Sequence, residues 1–261
     1  SMKNYLNAKL LLFKKILKKN SYVILDKEIP QTKIIEKISK IRGLRKVYIN
    51  FFLKNYDLTN FKLVGRFQEK NLLMAIKACE ILGLSKNKIS KCLGKLNNAK
   101  GRLELVKNFP DGTKVFIDFA HTPDAITTAI NALKDHFKKK ITIVFGCGGE
   151  RDKGKRKKIA RIVNKLCYKI YVTDDNPRRE KPEEIRRAIS KHINKKKCFE
   201  IGNRAIAIRT AIQNSSPNEI ILIAGKGHED VQDYGVKKFK ISDFDIIKKI
   251  QTKKILSKKK I

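Results

Sequence analysis

The chain has 261 residues, of which 41% are hydrophobic, and a formal net charge of +36 at pH 7. This length and apolar content exclude a small disulfide-stapled domain or a mainly disordered chain, and suffice for one large or two modest domains. The charge has two interpretations, a surface for nucleic acid or anionic membrane, or lysines spread over solvated faces. We favour the second, because the basic residues are scattered and no nucleic-acid-binding motif accompanies them.

Five cysteines lie far apart in the sequence, and no CxxC pair occurs. An odd, dispersed set is typical of a reduced cytosolic protein rather than of a disulfide framework or a zinc site. For Cys147, a packing role is favoured over catalysis because no base is paired with it. The sequence contains no recognisable signal peptide and no apolar run of about 18 residues. We therefore expect a cytoplasmic protein that does not cross a membrane.

The first hundred residues are predicted to contain both helices and strands. Helical segments are indicated by apolar side chains at helical spacing, and strands by short runs of β-forming residues. The last of these helices breaks at NNAKG, which predicts a domain boundary near Lys100. The predicted elements are a helix over 3–19, strands over 21–26 and 46–53, and helices over 67–83 and 86–97.

From Gly101 onward, β-forming and helical segments alternate. Alternation of this kind predicts parallel βαβ units and an α/β sheet domain. The lysine-rich end over 248–260 is compatible with either a helix or a frayed terminus. The predicted strands cover 115–120, 141–145, 169–174, 198–201 and 219–224, and the predicted helices cover 122–137, 155–166, 182–193 and 203–214.

Polar segments follow three of these strands. The carboxyl ends of parallel strands meet at one edge of an open α/β sheet, where their loops form a ligand crevice. We therefore expect the three segments to belong to one site. Their sequences are FGCGGERDKGKR at 145–156, TDDNPRRE at 173–180 and IAGKGHEDVQ at 222–231.

Two kinds of charged side chain occur in these segments. Arg151 and Arg178 offer guanidinium groups, and Asp175 and Glu229 offer carboxylates. This combination suits a zwitterion, because guanidinium pairs with carboxylate and carboxylate pairs with ammonium. The alternatives are a flexible basic loop around Arg151 and an ordinary Asn-Pro turn before Arg178.

At these residues the chain resembles the Mur ligases, in particular the members that add meso-diaminopimelate to UDP-N-acetylmuramoyl-L-alanyl-D-glutamate. The resemblance extends from about Met2 to the FKISDFD segment at 239–245. The DNPR motif is its most specific element, because it marks the diaminopimelate-adding members of the family. The resemblance implies that the following residues hold the incoming amino acid: Arg151, Asp175, Asn176, Pro177, Arg178, Gly225 and Glu229.

Arg178 gives this implication a physical basis. A guanidinium binds a carboxylate through two parallel hydrogen bonds. Diaminopimelate has a second carboxylate for this arginine and lysine has none, so a site built around that contact rejects lysine. His228 lies beside Glu229 in sequence, but the family places no required base there, and we assign it no role.

The resemblance also implies contacts to ATP. Asn71, in GRFQEKNLLMAI, matches an asparagine that reads the adenine, since an amide can donate and accept at once. Arg102 in GRLELV, and Asp118 with His121 in IDFAHTPDA, match the nucleotide-facing strand and turn of the family. Asn71 has the alternative role of satisfying backbone groups near a helix start, and His121 that of preceding a Thr122 helix cap.

Lys9, in YLNAKLLLF, matches the position where these ligases carry a carbamylated lysine. A carbamate turns the ammonium into an anion that can ligate or orient Mg²⁺ near the γ-phosphate. The alternative is an ordinary surface lysine, one among many in this chain. The first of the two adenine-reading asparagines of the family is replaced here by Gln68, which is one methylene longer.

The implied architecture is α/β, with 1–100 as the rear part of a central ATP-binding domain and 101–261 as a Rossmann-like C-terminal domain. The P-loop pattern GxxxxGKS or GxxxxGKT is absent from the sequence, as is any counterpart of the UDP-binding domain of the family. We therefore expect a C-terminal portion of a ligase, from a longer protein or a degraded gene, that is inactive alone. The alternative is a non-catalytic amino-acid-binding remnant. We expect a monomer that uses ATP and Mg²⁺ and has no nucleic-acid or membrane partner.

Overall fold

The computed structural model describes residues 2–49 and 64–251. The chain divides into two compact units, Ser1–Asn97 and Asn98–Ile261. Each unit has its own hydrophobic core, and the two are described separately.

The first unit combines helices with a two-stranded parallel sheet. Gly43 ends its second helix with φ of +63°, and its N–H bonds back to the last turn. The reversal leads into the second strand, which pairs with the first. Its elements are α1 (Met2–Leu11), β1 (Tyr22–Leu25), α2 (Thr32–Arg42), β2 (Arg45–Tyr48), α3 (Arg66–Ile81) and α4 (Lys86–Leu93).

The described residues of this unit form two apolar clusters. In one of them, Leu10 of α1 packs with Val23 of β1 and Ile35 of α2. The other lies between α3 and α4, where Leu72, Ile76, Ile89 and Leu93 pack together. Burial of aliphatic side chains in such clusters is the main favourable term in folding.

The first unit differs from the sequence prediction in three places, one of which is the helix predicted over 86–97, because α4 ends at Leu93. The helix predicted over 3–19 is shorter in the structure. It consists of α1 and one π-helical turn, Leu12–Ile16, and it ends there. The helix α2 was not predicted, although its apolar residues recur at helical spacing, with Ile35 and Ile38 packed into the core and Ile34 exposed. Residues 50–53 of the second predicted strand lie outside the described residues.

The second unit is built on a six-stranded sheet in the order β3-β4-β8-β5-β6-β7. The last five strands of that order are parallel, and β3 pairs with β4 in the antiparallel sense. The strands are β3 (Glu104–Asn108), β4 (Lys114–Asp118), β5 (Ile141–Phe145), β6 (Lys169–Val172), β7 (Cys198–Glu200) and β8 (Ile220–Ala224).

Helices cover both faces of this sheet. On one face, Val144 and Ile223 pack against the last two helices of the unit, α8 (Arg204–Gln213) and α9 (Asp243–Lys248). On the other face, the Phe116 ring lies 5.5 Å from the ring of Phe137 in the helix after β4. All five residues of β5 and of β8 are buried, as expected for central parallel strands. The helices that precede α8 in this unit are α5 (Pro123–Phe137), α6 (Gly154–Leu166) and α7 (Pro182–Ser190).

The α/β fold class is confirmed, and the predicted strands and helices from 115 to 224 are present within a few residues of their predicted ends. Three further elements were not predicted, namely β3, α9 and a hairpin of β9 (Val231–Tyr234) and β10 (Lys237–Lys240). The hairpin turns at Gly235-Val236, where Gly235 has φ of +79°. A positive φ at the first turn residue is the glycine position of a type II′ turn.

The strand order determines at which edge of the sheet the predicted site lies. Because β8 lies between β4 and β5, the loops after β4, β8, β5 and β6 are adjacent along one edge of the sheet. In open α/β sheets, ligands bind at such an edge where the strand order changes.

Candidate functional site

A cleft of about 380 Å³ lies at the carboxyl ends of β4, β8, β5 and β6. It brings together six of the seven residues that the sequence assigns to the amino acid. Pro177, the seventh, is buried beneath the loop rather than in the lining. The lining consists of Phe119, His121, Thr122, Pro123, Gly148, Arg151, Asp152, Lys155, Asp175, Asn176, Arg178, Gly225 and Glu229.

Arg178 is half-buried and anchored at one end of its guanidinium group. Its Nη1 donates to the Gly149 carbonyl at 2.8 Å, and its backbone N–H donates to the Asp233 carbonyl at 2.9 Å. A Cβ added to Gly148 would lie 2.9 Å from that Nη1. Within the described ranges, Nε and Nη2 have no hydrogen-bond partner. These two nitrogens are the donors that a carboxylate would need.

Arg151 lies on the exposed rim of the same cleft. Its Nη1 has one weak contact, 3.5 Å from the Glu150 carbonyl oxygen. An exposed guanidinium of this kind can change rotamer at low cost, so the geometry is compatible with a clamp that closes on a ligand carboxylate.

Asp175 and Gly225 are in direct contact across two loops. Oδ1 of Asp175 accepts the Asn176 backbone N–H at 2.8 Å, and Oδ2 lies 2.7 Å from where a Cβ on Gly225 would be. Gly225 also has φ of +112°, which L side chains rarely adopt. Glycine at 225 is therefore required both by the backbone and by the space that Asp175 occupies.

Asn176, Lys226 and Glu229 form a hydrogen-bonded cluster on the wall of the cleft. Nζ of Lys226 lies 3.1 Å from Asn176 Oδ1 and 3.1 Å from Glu229 Oε2. Nδ2 of Asn176 donates to the same Glu229 oxygen at 3.1 Å. The Lys226 side chain is fully buried, so these contacts offset the cost of taking its charge out of water.

Glu180 joins the loop after β5 to the loop after β6. One of its carboxylate oxygens accepts the Glu150 backbone N–H at 2.6 Å, and the other accepts from Arg156 Nη2 at 2.9 Å. Burial alone would raise the pKa of this carboxyl, but the Glu150 N–H and the Arg156 guanidinium outweigh it, so the pKa lies below its usual value.

Asp118 is buried at the end of β4, and both of its oxygens are already engaged. Oδ2 accepts the Leu103 N–H and Oδ1 accepts the Ala120 N–H, each at 2.7 Å. Burial raises the pKa of this carboxyl, and the two N–H groups and the nearby Arg102 oppose that rise. The structure therefore gives Asp118 a clear backbone-fixing role beside the predicted nucleotide contact.

Arg102 and His121 lie around the ring of Phe119, next to Asp118. The Arg102 guanidinium is 4.9 Å from the ring centroid, and the His121 ring packs edge-on at 4.9 Å. Nδ1 of His121 lies 2.9 Å from the Phe119 carbonyl oxygen. Thr122 caps α5 by accepting the Ala125 N–H, as the sequence predicted.

The remaining predicted residues, Lys9 and Asn71, lie in the first unit. Lys9 is an exposed residue of α1 whose Nζ is 5.4 Å from the centroid of the Tyr5 ring. Asn71 is an exposed residue of α3, one turn beyond the buried Gln68. In the parts of the chain that the structure describes, no group of three or more His, Cys, Asp and Glu side chains is placed to hold a metal ion.

Cys147 lies beneath the cleft and is buried. Burial raises the pKa of its thiol to about 12. A buried thiol with a raised pKa is a poor nucleophile at neutral pH, as expected for a side chain with a packing role.

The sequence interpretation did not identify Lys226, Glu180 or Asp233 as parts of the site. Lys226 is one of many lysines, and no local pattern marks it as buried. Asp233 contributes through its backbone, which donates to Asn176 Oδ1 and accepts from the Arg178 N–H. Backbone contacts of this kind depend on the β9–β10 hairpin, which the sequence did not predict.

Comparison with known proteins agrees with this fold and cleft. Residues 101–227 match the family model described as Mur ligase, glutamate ligase domain. A solved structure of a UDP-N-acetylmuramoyl-L-alanyl-D-glutamate–2,6-diaminopimelate ligase superimposes with a TM-score of 0.59 and 25% identity, covering 95% of this chain and 56% of that one. A folylpolyglutamate synthase of Mycobacterium tuberculosis shares the fold, with a TM-score of 0.63 at 17% identity over 78% of this chain and 52% of that one.

Residues 101–227 therefore form a Mur ligase domain, and the chain is similar over most of its length to curated members of that family. Among curated proteins, it is 40% identical over 219 residues to the UDP-N-acetylmuramoyl-L-alanyl-D-glutamate–2,6-diaminopimelate ligase of Rickettsia felis, covering 82% of this chain and 41% of that protein. The ligase of the same name from Rickettsia conorii is 36% identical, over 94% of this chain and 55% of its own length. The chain spans about half the length of the curated relatives it matches. Over the described ranges, none of the helices has the length and apolar character needed to span a bilayer.

Proposed function

We propose that this chain provides the amino-acid-binding part of an ATP-dependent ligase that adds meso-diaminopimelate to UDP-N-acetylmuramoyl-L-alanyl-D-glutamate in peptidoglycan synthesis. The observation that carries the proposal is the cleft of about 380 Å³, whose lining brings the guanidinium groups of Arg151 and Arg178 together with the carboxylates of Asp175 and Glu229. The curated relatives named above carry this activity in their names and support the same substrate.

The charges of the cleft match the charges of the amino acid. Arg151 and Arg178 would bind its carboxylates, and Asp175 and Glu229 would bind an ammonium group. The uncommitted Nε and Nη2 of Arg178 form the side of a guanidinium that pairs with a carboxylate in parallel hydrogen bonds. Lysine lacks the second carboxylate and would leave this arginine unpaired, which is a costly loss in a half-buried site.

The reaction would proceed through an activated carboxylate. ATP supplies the γ-phosphate that converts the D-glutamyl carboxylate into an acyl phosphate. The amine of diaminopimelate attacks its carbonyl carbon, the bond to phosphate breaks, and an amide forms. The residues of the cleft contribute by holding the amino acid in one orientation, and positioning of this kind can lower a barrier by several kcal/mol.

We propose further that the first unit is the rear part of an ATP-binding domain. In that unit, Asn71 is the candidate nucleotide contact and Lys9 is the candidate carbamate. In the second unit, the candidate nucleotide contacts are Arg102, Asp118 and His121. Both oxygens of Asp118 already accept hydrogen bonds that fix the turn carrying Phe119. A contact between Asp118 and ATP would therefore use the remaining lone pairs of the carboxylate. The use of Mg²⁺ is implied by the resemblance to the Mur ligases, and the described residues offer no set of three ligands for it. The five free cysteines fit a reducing, cytoplasmic location.

The proposal can be tested by calorimetric titration of the chain with meso-diaminopimelate, with L-lysine as the comparison ligand. We expect diaminopimelate to bind and lysine to bind at least about tenfold more weakly, because lysine leaves Arg178 unpaired. The variant R178A should remove the preference for diaminopimelate. The matched control R179A changes the adjacent exposed arginine and should keep the preference for diaminopimelate. Equal binding of the two amino acids by the wild-type chain would contradict the proposal.

A further inference from the structure

We infer that Lys226 is a positioning residue that sets the recognition of the substrate amine, by fixing the orientation of the Asn176 amide and the placement of Glu229. The inference rests on the proposed function, since it concerns the same cleft. Lys226 does not line the cleft itself. It acts through two residues that do.

The backbone directs Lys226 into the protein. It stands between Gly225 and Gly227, whose φ angles are +112° and +56°. A Cβ on Gly227 would lie 2.8 Å from the Cβ of Phe119, so the chain passes close to the loop after β4. This path carries the Lys226 side chain inward, where none of it is exposed to solvent.

The ammonium group of Lys226 has three donors and meets three acceptors. It donates to the Val231 carbonyl oxygen at 2.6 Å, in addition to Asn176 Oδ1 and Glu229 Oε2 at 3.1 Å each. A buried lysine with every proton satisfied and a carboxylate beside it is compatible with a retained charge. Val231 begins β9, so Lys226 also ties the hairpin to the cleft.

These contacts determine which way the Asn176 amide faces. Its Oδ1 accepts from Lys226 Nζ and from the Asp233 backbone N–H, the latter at 3.0 Å. The reversed amide would point an NH₂ group at two donors, which leaves all of them without acceptors. Nδ2 is therefore held toward Glu229, and Asn176 can offer a ligand only a donor.

The same contacts engage only one of the two carboxylate oxygens of Glu229. Oε2 accepts from Lys226 and Asn176, whereas Oε1 has no hydrogen-bond partner among the residues that the structure describes. Lys226 also offsets one of the two negative charges of Asp175 and Glu229. Asp175, Glu229 and Lys226 together then carry one net negative charge, which matches a single ammonium group of the substrate. Among the described residues, Asp175 Oδ2 and Glu229 Oε1 have no hydrogen-bond partner and can accept from that ammonium group.

The first test uses two ligands that differ only in their amines. Meso-diaminopimelate and pimelate have the same two terminal carboxylates, and pimelate has no ammonium group. The variant K226Q removes the charge of Lys226. We expect it to weaken diaminopimelate binding about tenfold or more, toward the affinity of pimelate, and to leave pimelate binding unchanged. General damage to the cleft would weaken both ligands alike and would overturn the inference.

The matched control is K169Q. Lys169 lies at the start of β6, where its Nζ donates to the Asn214 carbonyl oxygen at 2.6 Å and lies 4.0 Å from the buried carboxylate of Glu219. It is therefore a lysine in a similar chemical setting, at the opposite end of the strand from the cleft. K169Q should leave the affinities for both ligands as they are in the wild-type chain.

A second measurement reports on Asn176 without any ligand. In the wild-type chain, the side-chain NH₂ protons of Asn176 should exchange slowly in NMR spectra, and K226Q should exchange them several-fold faster. Unchanged exchange in a folded K226Q would overturn the inference. The two proposals fail differently: a wild-type chain without preference for diaminopimelate over pimelate contradicts the proposed function, whereas a preference that K226Q retains contradicts the role of Lys226 alone.

Discussion

At the residue scale, Arg178 combines a strained backbone with the guanidinium group that we propose binds a substrate carboxylate. Its φ of +52° lies in the left-handed region, which costs an L residue about 1 to 2 kcal/mol. The conformation persists because the Arg178 N–H bonds to Asp233 and the Glu180 N–H bonds to the Pro177 carbonyl oxygen, at 2.9 and 3.1 Å. Glycine or asparagine would suit this backbone better, and an arginine in this strained position supports the proposed role of its guanidinium group.

Substitution of Arg178 separates these two properties. R178G and R178A both remove the guanidinium group, so both should lose the preference for diaminopimelate. We expect R178G to be about 1 kcal/mol more stable than R178A, because only glycine relieves the left-handed strain. Urea unfolding followed by circular dichroism measures the difference. Equal stabilities would mean that the loop relaxes and that the strain is absent in solution.

The charged residues of the cleft could be predicted from the sequence because each follows an apolar strand. The rule that loops after parallel strands converge was enough to place Arg151, Asp175 and Arg178 on one cleft. Lys226 and Asp233 could not be found in this way. Their roles depend on burial and on backbone contacts, which follow from the packing of the whole unit and leave no pattern in the local sequence.

At the scale of the elements, Glu180 holds two site loops together. It follows the DNPR motif after β6 and binds the backbone of the loop after β5 and Arg156 of α6. Because hydrogen bonds and an ion pair lower the pKa of this carboxyl below its usual value of 4.5, the folded state binds this proton less readily than the unfolded state.

The stabilisation from Glu180 should depend on pH in a defined direction. A lowered pKa in the folded state contributes stability above about pH 4.5, and this contribution disappears as the pH falls through the lower folded value. We therefore expect E180Q to be less stable than the wild-type chain by up to about 1 kcal/mol at pH 6, and by less at pH 3. The exposed Glu184 provides the control variant E184Q, which should behave like the wild-type chain at both values. A pH-independent difference for E180Q would contradict the role of its charge.

The hairpin of β9 and β10 shows why some elements escaped prediction. Strand prediction depends on alternating apolar and polar residues, and the four residues of β10 are all exposed, with only Phe239 apolar. The hairpin instead forms through its glycine turn and through Lys226 and Asn176, which bind its first strand. The elements that were predicted, such as β5 and β8, carry continuous apolar runs because both of their faces are buried.

At the scale of the whole molecule, a buried ion pair links distant parts of the second unit. Arg204 begins α8 and Asp243 begins α9, and their side chains are completely buried. Two hydrogen bonds, Nε to Oδ1 at 2.8 Å and Nη2 to Oδ2 at 2.7 Å, join them. Nη2 also donates to the carbonyl oxygen of Ala224 at the end of β8, next to the cleft.

Breaking this pair should be far more costly than replacing it. R204M leaves the Asp243 carboxylate buried without its partner, and we expect a loss of about 3 to 5 kcal/mol in the free energy of unfolding. The double variant R204M/D243L removes both charges and should recover much of that loss. Urea unfolding of the wild-type chain, R204M, D243L and the double variant forms a double-mutant cycle. A double variant as unstable as R204M would show that packing, and not the lone charge, causes the loss.

The α/β class could be predicted for the whole molecule because the alternation of strands and helices from Gly101 onward survives in the structure. The strand order could not be predicted from the same pattern. Placement of β8 between β4 and β5 depends on which apolar faces pack best, and the antiparallel β3 extends the sheet beyond β4 with few apolar residues of its own.

The protonated thiol beneath the cleft makes the chain easy to label at a chosen place. Cys147 and Cys167 are buried and have thiol pKa values raised to about 12, so alkylating reagents at neutral pH would leave them unmodified. Cys92, exposed on α4, is the cysteine that such a reagent would reach first. A maleimide fluorophore attached there would report on the first unit while the cleft keeps its native chemistry.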